Sequence, residues 1–434
     1  MSFMAQQKTL SAKPGVFNYS GLSSVVFRRK LYVFYNNADQ NGGWYNVLDR
    51  ETNHWSGPFS FRKGGATFMS VAEYTTPVAV VWRGTLYAFF NGSGNNGTFW
   101  TSSTDGQRWA QVKSMSEAMG TPAETFAKGT SPSVTVLKNA LYVVWNNVAD
   151  NGTLRYTAWS DPSGNIVSPM DVTASGLSIR RQTSTALATF KDKLFLFFNG
   201  AGSDGTWMTT FSSSGWARVN PVTLPLAGSA LDYTSPAACV SDDGRVLTLF
   251  WNGSANDGLW HTNTMNGFTW LPQMGLSQMI EGQSVLYKSS PSVAHYRGIP
   301  HILWVGDDAN VWYSQGLTLS ADDGDYNSIM KAILAGSDFT VVTADTSAIR
   351  YLVSQMQSSY AFLQKPADNV NESLGANIGW GVFLSTFIAS KPILTPPAVV
   401  CIFSITTLAV YSGFEVCVDL SEGTFSFRRP PPLA

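Results

Sequence analysis

Residues 141–147 read LYVVWNN, and four close copies stand in the same chain: LYVFYNN at 31–37, LYAFFNG at 86–92, LFLFFNG at 194–200 and LTLFWNG at 247–253. The anchoring residues Asn36, Asn91, Asn146, Asn199 and Asn252 are spaced by 55, 55, 53 and 53 residues, and each is followed six residues later by a Gly. A degraded sixth copy, HILWVGDDANVWYSQG, starts at His301. A fixed period of this length in a chain of short apolar runs marks an array of like units, each stacked on the next.

The third copy shows what one unit contains. Working outward from LYVVWNN, the stretch SVTVL (133–137) precedes it across a tip at Lys138-Asn139, and TLRYTAWS (153–160) follows the turn from Asn146 to Gly152. The central stretch is nearly all apolar, as suits a strand covered on both faces, and its neighbours alternate with period two. A fourth, outer segment begins with Trp in most copies (Trp55, Trp109, Trp216, Trp270) and with Ile166 in the third. Thr76-Pro77, Ser131-Pro132, Ser235-Pro236 and Ser290-Pro291 recur at the entry to the first strand, where Pro sacrifices no ladder donor. Four antiparallel strands per unit, repeated about an axis, give an all-β six-bladed β-propeller over residues 1–318, with units between about Gly15 and Gly316. The sixth copy lacks an outer strand, and residues Gln6 to Leu10 are placed to supply it; a five-bladed ring excluding that copy is the alternative.

Composition agrees. The 434 residues are 44% hydrophobic and only 13% charged, with 38 Gly and 15 Trp, the balance of a turn-rich β protein. A net charge of -1 supplies no field to gather nucleic acid, so no nucleic-acid partner is expected. Three cysteines (Cys239, Cys401, Cys417) make no disulfide framework. The N-terminus has no apolar core of signal-peptide length, so the expectation is a cytoplasmic protein or one secreted by a non-classical route.

In a propeller the second-to-third strand turns share a face with the entries to the first strands. That face collects the five Asn–Gly turns, with aromatics just behind them: Trp44, Trp100, Tyr156, Trp207, Trp260 and Trp312. Amides that bridge hydroxyls, beside aromatic planes that stack on C–H bonds, are the chemistry of sugar recognition. Asn36, Asn91, Asn146, Asn199 and Asn252 with these six aromatics are therefore the candidate carbohydrate-binding residues. The same Asn and Gly also suit turns for conformational reasons, and the aromatics suit packing between blades. The opposite face carries the first-to-second strand tips (Arg28-Arg29-Lys30, Arg83, Lys138, Lys191-Asp192-Lys193, Asp242 to Arg245, Arg297), where basic residues outnumber acidic ones.

The repeats resemble those of β-propeller lectins of the tachylectin/tectonin and fungal or Photorhabdus type. The resemblance rests on the apolar second strand ending in Asn, the Asn/Asp/Gly turn, the aromatic third strand (Asn256 to His261) and the Gly-x-x-Trp ending at Gly106–Trp109 and Gly267–Trp270. It covers about residues 15–316 and implies multivalent binding of glycans or glycoproteins, in or between blades. Ser103 to Trp109 also looks like the Asp-box turn of sialidases with the Asp–Gly spacing one residue short. No metal-ligand spacing, nucleophile elbow or phosphate loop occurs, so no cofactor or metal is expected and the chain reads as a non-enzyme. The alternatives are a propeller glycoside hydrolase or sialidase-like enzyme, and a protein-binding scaffold.

Beyond Leu319 the character changes, and residues 319–434 read as a smaller α+β domain. Two helical stretches, YNSIMKAILAG and Thr346–Gln364, precede a long apolar stretch, 374–411, in which Lys391 is the only charge. Further on, FEVCVDL and TFSFRR alternate as strands do. The expectation here is an effector or oligomerisation domain whose apolar stretch serves as core, homo-oligomer interface or membrane-inserting segment, the last making the whole a lectin-type toxin.

Overall fold

A computed structural model describes most residues from Lys8 to Gln315, with gaps mainly at turns (38–41, 148–152, 202–204 and 255–257 among them), and beyond them three short strands. The chain divides into two compact units, Gln6–Gln315 and a second made of Gly316–Ala434 with Met1–Ala5.

The first unit is a six-bladed β-propeller. Each apolar repeat phrase is the second strand of an antiparallel sheet: Lys30–Asn37, Thr85–Asn91, Ala140–Asn146, Lys193–Asn199, Leu247–Asn252 and Ile299–Val305. Each is flanked by an inner strand (Ser23–Phe27, Val78–Trp82, Ser133–Leu137, Ala186–Phe190, Ala237–Val240, Ser292–Tyr296) and a third strand on its other side. The inner strands touch in sequence around the axis, and the sixth touches the first, so the ring is closed. Lys8–Thr9 pairs with the third strand of the sixth blade, Val311–Gln315, in the register Lys8↔Tyr313 and Thr9↔Trp312. Leu10 continues that edge, its N–H donating to the Val311 carbonyl at 3.1 Å, and its side chain is buried. The two ends of the ring are thus joined by hydrogen bonds, and Lys8–Thr9 supplies the outer strand of the sixth blade.

The cores lie between blades. Phe34, Tyr45 and Phe61 of the first blade meet Leu86, Phe90 and Trp109 of the second, and like clusters join the sixth to the first, the second to the third, the third to the fourth and the fourth to the fifth. This is why the second strands are apolar on both faces. The Trp that opens an outer segment fills the gap to the preceding blade: Trp55, Trp109, Trp216 and Trp270 each sit in such a cluster. Where the third repeat has Ile166, Trp159 of its third strand takes that place, packed edge-on to Trp100 at 5.2 Å.

In the second unit Thr424–Arg428 pairs with both Phe339–Val342 and Glu415–Asp419 in an antiparallel three-stranded sheet. The helices expected in this part and the apolar stretch 374–411 lie outside the described residues. Among the described residues no helix is long and apolar enough to cross a membrane.

Candidate functional site

The five repeat asparagines are in the scaffold. Their relative exposure is 0% for Asn36, 1% for Asn91, 8% for Asn146, 1% for Asn199 and 0% for Asn252. Each stands at the end of a second strand, and in Asn36, Asn91, Asn146 and Asn199 the amide Nδ2 reaches across to the next blade. Asn36 donates to the Ala72 carbonyl at 3.0 Å, Asn146 to Thr183 at 2.7 Å and Asn199 to Thr234 at 2.7 Å, while Asn91 donates to Thr130. The accepting segments are the tight turns that lead into each inner strand, closed by Thr75, Thr130, Thr183, Thr234 and Ser289, whose hydroxyls donate back three residues. A buried amide with this geometry ties blade to blade and presents nothing to a ligand in solution. In Asn36, Asn91, Asn146 and Asn199 the amide N–H is thus committed to a carbonyl of the segment leading into the next blade.

The aromatics divide. Trp100 and Tyr156 are buried, at the second–third and third–fourth blade contacts respectively. Trp207 and Trp260 are half-buried against the third–fourth and fourth–fifth contacts, and Trp312 is half-buried with its Nε1 donating to Asp308 at 3.0 Å. Trp44 is half-buried and lines a groove. The turns that carry Asp39, Asp150, Asp204 and Asp257 lie outside the described residues, whereas those of the second and sixth blades, around Ser93–Asn95 and Gly306–Asn310, are described.

Two concavities remain to weigh. One lies on the axis, has a volume of about 170 Å³ and is ringed by the strand entries. There a chain of bonds runs round the ring: the N–H of Thr76 donates to the Ser131 hydroxyl, Ser131 to Ser184, Ser184 to Ser235 and Ser235 to Ser290, at 2.7–2.8 Å. The belt breaks at Gly21, where an added Cβ would lie 2.9 Å from Ser290 Cβ. These hydroxyls fix the spacing of the inner strands.

The second concavity is a groove of about 460 Å³ between the first and second blades, within the size range of small-ligand sites. Its aromatic wall comprises Tyr32, Trp44, Tyr45 and Phe59, with Phe59 43% exposed. Tyr45 stands 5.4 Å from Phe59 and from Phe61, and 6.0 Å from Tyr32, so the wall is braced from behind. Polar groups line the rest: Lys30, Ser56, Ser60, Lys63 and Gln107. Lys30 is held by Asp49 at 2.7 Å. Burial, reinforced by Tyr45 and Asp105, pushes the Tyr32 phenol up to about 12, and burial likewise raises Tyr45, so both rings are neutral.

The Asp-box-like turn of the second blade closes the groove. Asp105 Oδ1 accepts from the N–H groups of Gln107 and Arg108, both at 2.8 Å, and the Ser103 hydroxyl accepts from Gly106 N–H at 2.8 Å. Those backbone donors hold the Asp105 carboxyl below the ordinary carboxylate value. Gly106 has φ 80°, and a Cβ there would sit 2.2 Å from Tyr32 Oη, so only Gly lets the turn approach the wall and place Gln107 in the groove. The fifth blade repeats the turn with Asn266 in place of Asp, accepting from Phe268 N–H at 2.8 Å. Of the eleven predicted residues only Trp44 reaches the groove. Phe59 and Lys63 escape a search for repeated positions, their one signal being that Lys63-Gly64-Gly65 has no counterpart in the other copies, while Gln107 lies within the Asp-box-like turn.

No protein-family model and no curated protein sequence matches the chain. Solved structures do share the fold. Trypanosoma rangeli sialidase in complex with DANA aligns with a TM-score of 0.51 and 12% identity over 74% of this chain and 57% of that one. A Hadza microbial sialidase aligns at 0.49 and 13% identity over 68% and 65%, so the chain spans about three fifths of the length of these sialidases. Aleuria aurantia lectin in complex with Fucalpha1-6GlcNAc aligns at 0.48 and 10% identity over 70% of this chain and 93% of that one. At such identities the likeness is one of fold. It also corrects one expectation: the chain cannot be set down as a non-enzyme, because the Trypanosoma rangeli sialidase, an enzyme, shares the fold.

Proposed function

We propose that the propeller binds carbohydrate and that the groove between its first two blades is the site. The observation that carries this is the exposed Phe59 ring on a braced aromatic wall, faced by the hydroxyls of Ser56 and Ser60, the amide of Gln107 and the amines of Lys30 and Lys63. A sugar ring stacks its C–H face on such a wall while its hydroxyls bond to the polar rim. Phe59, Lys63 and Gln107 of this groove have no like residue in the other repeats, so this reading gives one site of this kind per chain in place of a repeated ring of sites.

A glycan array probed with the full chain identifies the ligand, and calorimetry with that glycan measures it. Phe59→Ala and Gln107→Ala should each weaken binding about tenfold, the equivalent of ~1.4 kcal/mol, with a stoichiometry of one. Mass spectrometry of the recovered glycan reports whether it leaves intact or cleaved. Wild-type affinity in both variants would refute the site.

A further inference from the structure

We infer that the face opposite the strand entries docks on a bilayer bearing anionic headgroups. The inner and second strands of five blades are joined by two-residue loops, as the pairs Phe27↔Lys30, Trp82↔Thr85, Leu137↔Ala140, Phe190↔Lys193 and Tyr296↔Ile299 define. The first loop residue is left-handed every time, with φ 48° at Arg28, 50° at Arg83, 47° at Lys138, 48° at Lys191 and 59° at Arg297. Tight hairpins of this kind call for Asn, Asp or Gly at that position. All five blades place a cation there; at the second position Arg29 adds another in the first loop, φ 63°, and Asp192 sets an anion beside Lys191 in the fourth, φ 58°. The fifth blade departs, with a longer tip that carries Asp242 and Arg245.

Five repeats of an unfavoured backbone choice, each made with the same charge, point to a use for the charge. The side chains are exposed. Arg28 lies 5.6 Å over the Phe27 ring, Arg83 5.3 Å over Trp82 and Lys191 5.5 Å over Phe190, so each stem rests on the aromatic before it. Among the described residues no salt bridge engages these five cations; Arg83 donates to the Ser160 carbonyl at 2.8 Å.

The geometry selects the partner. The inner strands circle the axis, so their tips form a ring at one end of a disc, on a chain whose net charge is only -1. A linear polyanion crossing that ring meets the cations of a few blades, whereas a plane of headgroups meets all of them together.

The test is co-sedimentation of the full chain with phosphatidylcholine vesicles, with and without phosphatidylserine. Binding should require phosphatidylserine and should fail near 1 M salt, where the screening length falls to about 3 Å. A variant carrying Arg28→Asn, Arg83→Asn, Lys138→Asn, Lys191→Asn and Arg297→Asn should lose roughly three-thousandfold in partitioning, at roughly fivefold per charge. Its Tm should be no lower than wild type, because Asn suits the turn. Its glycan affinity should be unchanged, since none of the five residues lines the groove. Lys138→Asn alone should show the single fivefold step. Undiminished vesicle binding by the five-residue variant, equal binding to pure phosphatidylcholine, or binding to a heparin oligosaccharide without binding to vesicles would each overturn the proposal. The apolar stretch 374–411 is common to both proteins, so the difference between them reads the ring alone.

Discussion

Asn199→Ala separates the scaffold role of the repeat asparagines from a binding role. In the native protein Asn199 is 1% exposed, its Nδ2 donates to the Thr234 carbonyl at 2.7 Å, and its Oδ1 accepts from the Thr206 hydroxyl at 3.3 Å. Truncation leaves a carbonyl and a hydroxyl without those partners in a closed interior, at about 1–3 kcal/mol for each unmet group. Thr206 can turn its hydroxyl elsewhere, so the net cost should be about 2–4 kcal/mol. For the unit Gln6–Gln315, an unfolding entropy of about 2.1 cal/mol/K per residue makes ~1 kcal/mol worth about 1.5 °C. Calorimetry should therefore show Tm lowered by about 3–6 °C, and titration with the array-selected glycan should give wild-type affinity. An unchanged Tm with lost binding would refute the scaffold assignment and return the asparagine to the ligand.

Other outcomes follow from the same geometry. Gly106→Ala forces a side chain onto Tyr32 at φ 80° and should cost about 2–5 kcal/mol, weakening glycan binding as well. Gly267→Ala, whose Cβ would meet the Phe195 ring at 2.5 Å, should destabilise similarly and leave the glycan alone. The Asp105 carboxyl is held below its ordinary value, so its contribution is present above pH ~4 and lost as acid protonates the folded state. Asp105→Asn should therefore flatten the acid limb of a Tm–pH profile and change neutral Tm little, since Asn266 performs the same capping in the fifth blade. Tyr32, raised to about 12 by burial, favours folding fully below pH ~10 and loses that contribution as pH rises toward 12, so Tyr32→Phe should reduce alkaline sensitivity. Removing residues 1–10 takes Lys8–Thr9 and buried Leu10 from the sixth blade and should lower Tm and broaden the transition in thermal circular dichroism.

The propeller was legible because its cause is local and repeated. The apolar second strands, the Pro at strand entries and the missing outer strand of the sixth copy each state a packing need in one segment, and residues 8–9 meet the last of them. The groove was hidden for the opposite reason. Lys30 and Phe59 lie on separate strands of the first blade, Lys63 in the turn after the second of these and Gln107 in a turn of the second blade, and they meet only once blade is packed on blade. The repeat asparagines are ambiguous in sequence because an amide suits a sugar and a neighbouring carbonyl equally well. Only the 2.7 Å contact of Asn146 with Thr183 and its equivalents decides which it serves. Trp100 and Tyr156 show the same ambiguity for aromatics, since a ring beside a turn in sequence can lie deep between blades in space.

A crystal structure of the full chain with the glycan selected by the array tests the central claim most directly. The account predicts sugar density in the groove between the first two blades, with a ring face on Phe59 and hydroxyls within bonding distance of Gln107 and Lys63. Density in the axial cavity or at the second-to-third strand turns, with the groove empty, would contradict it.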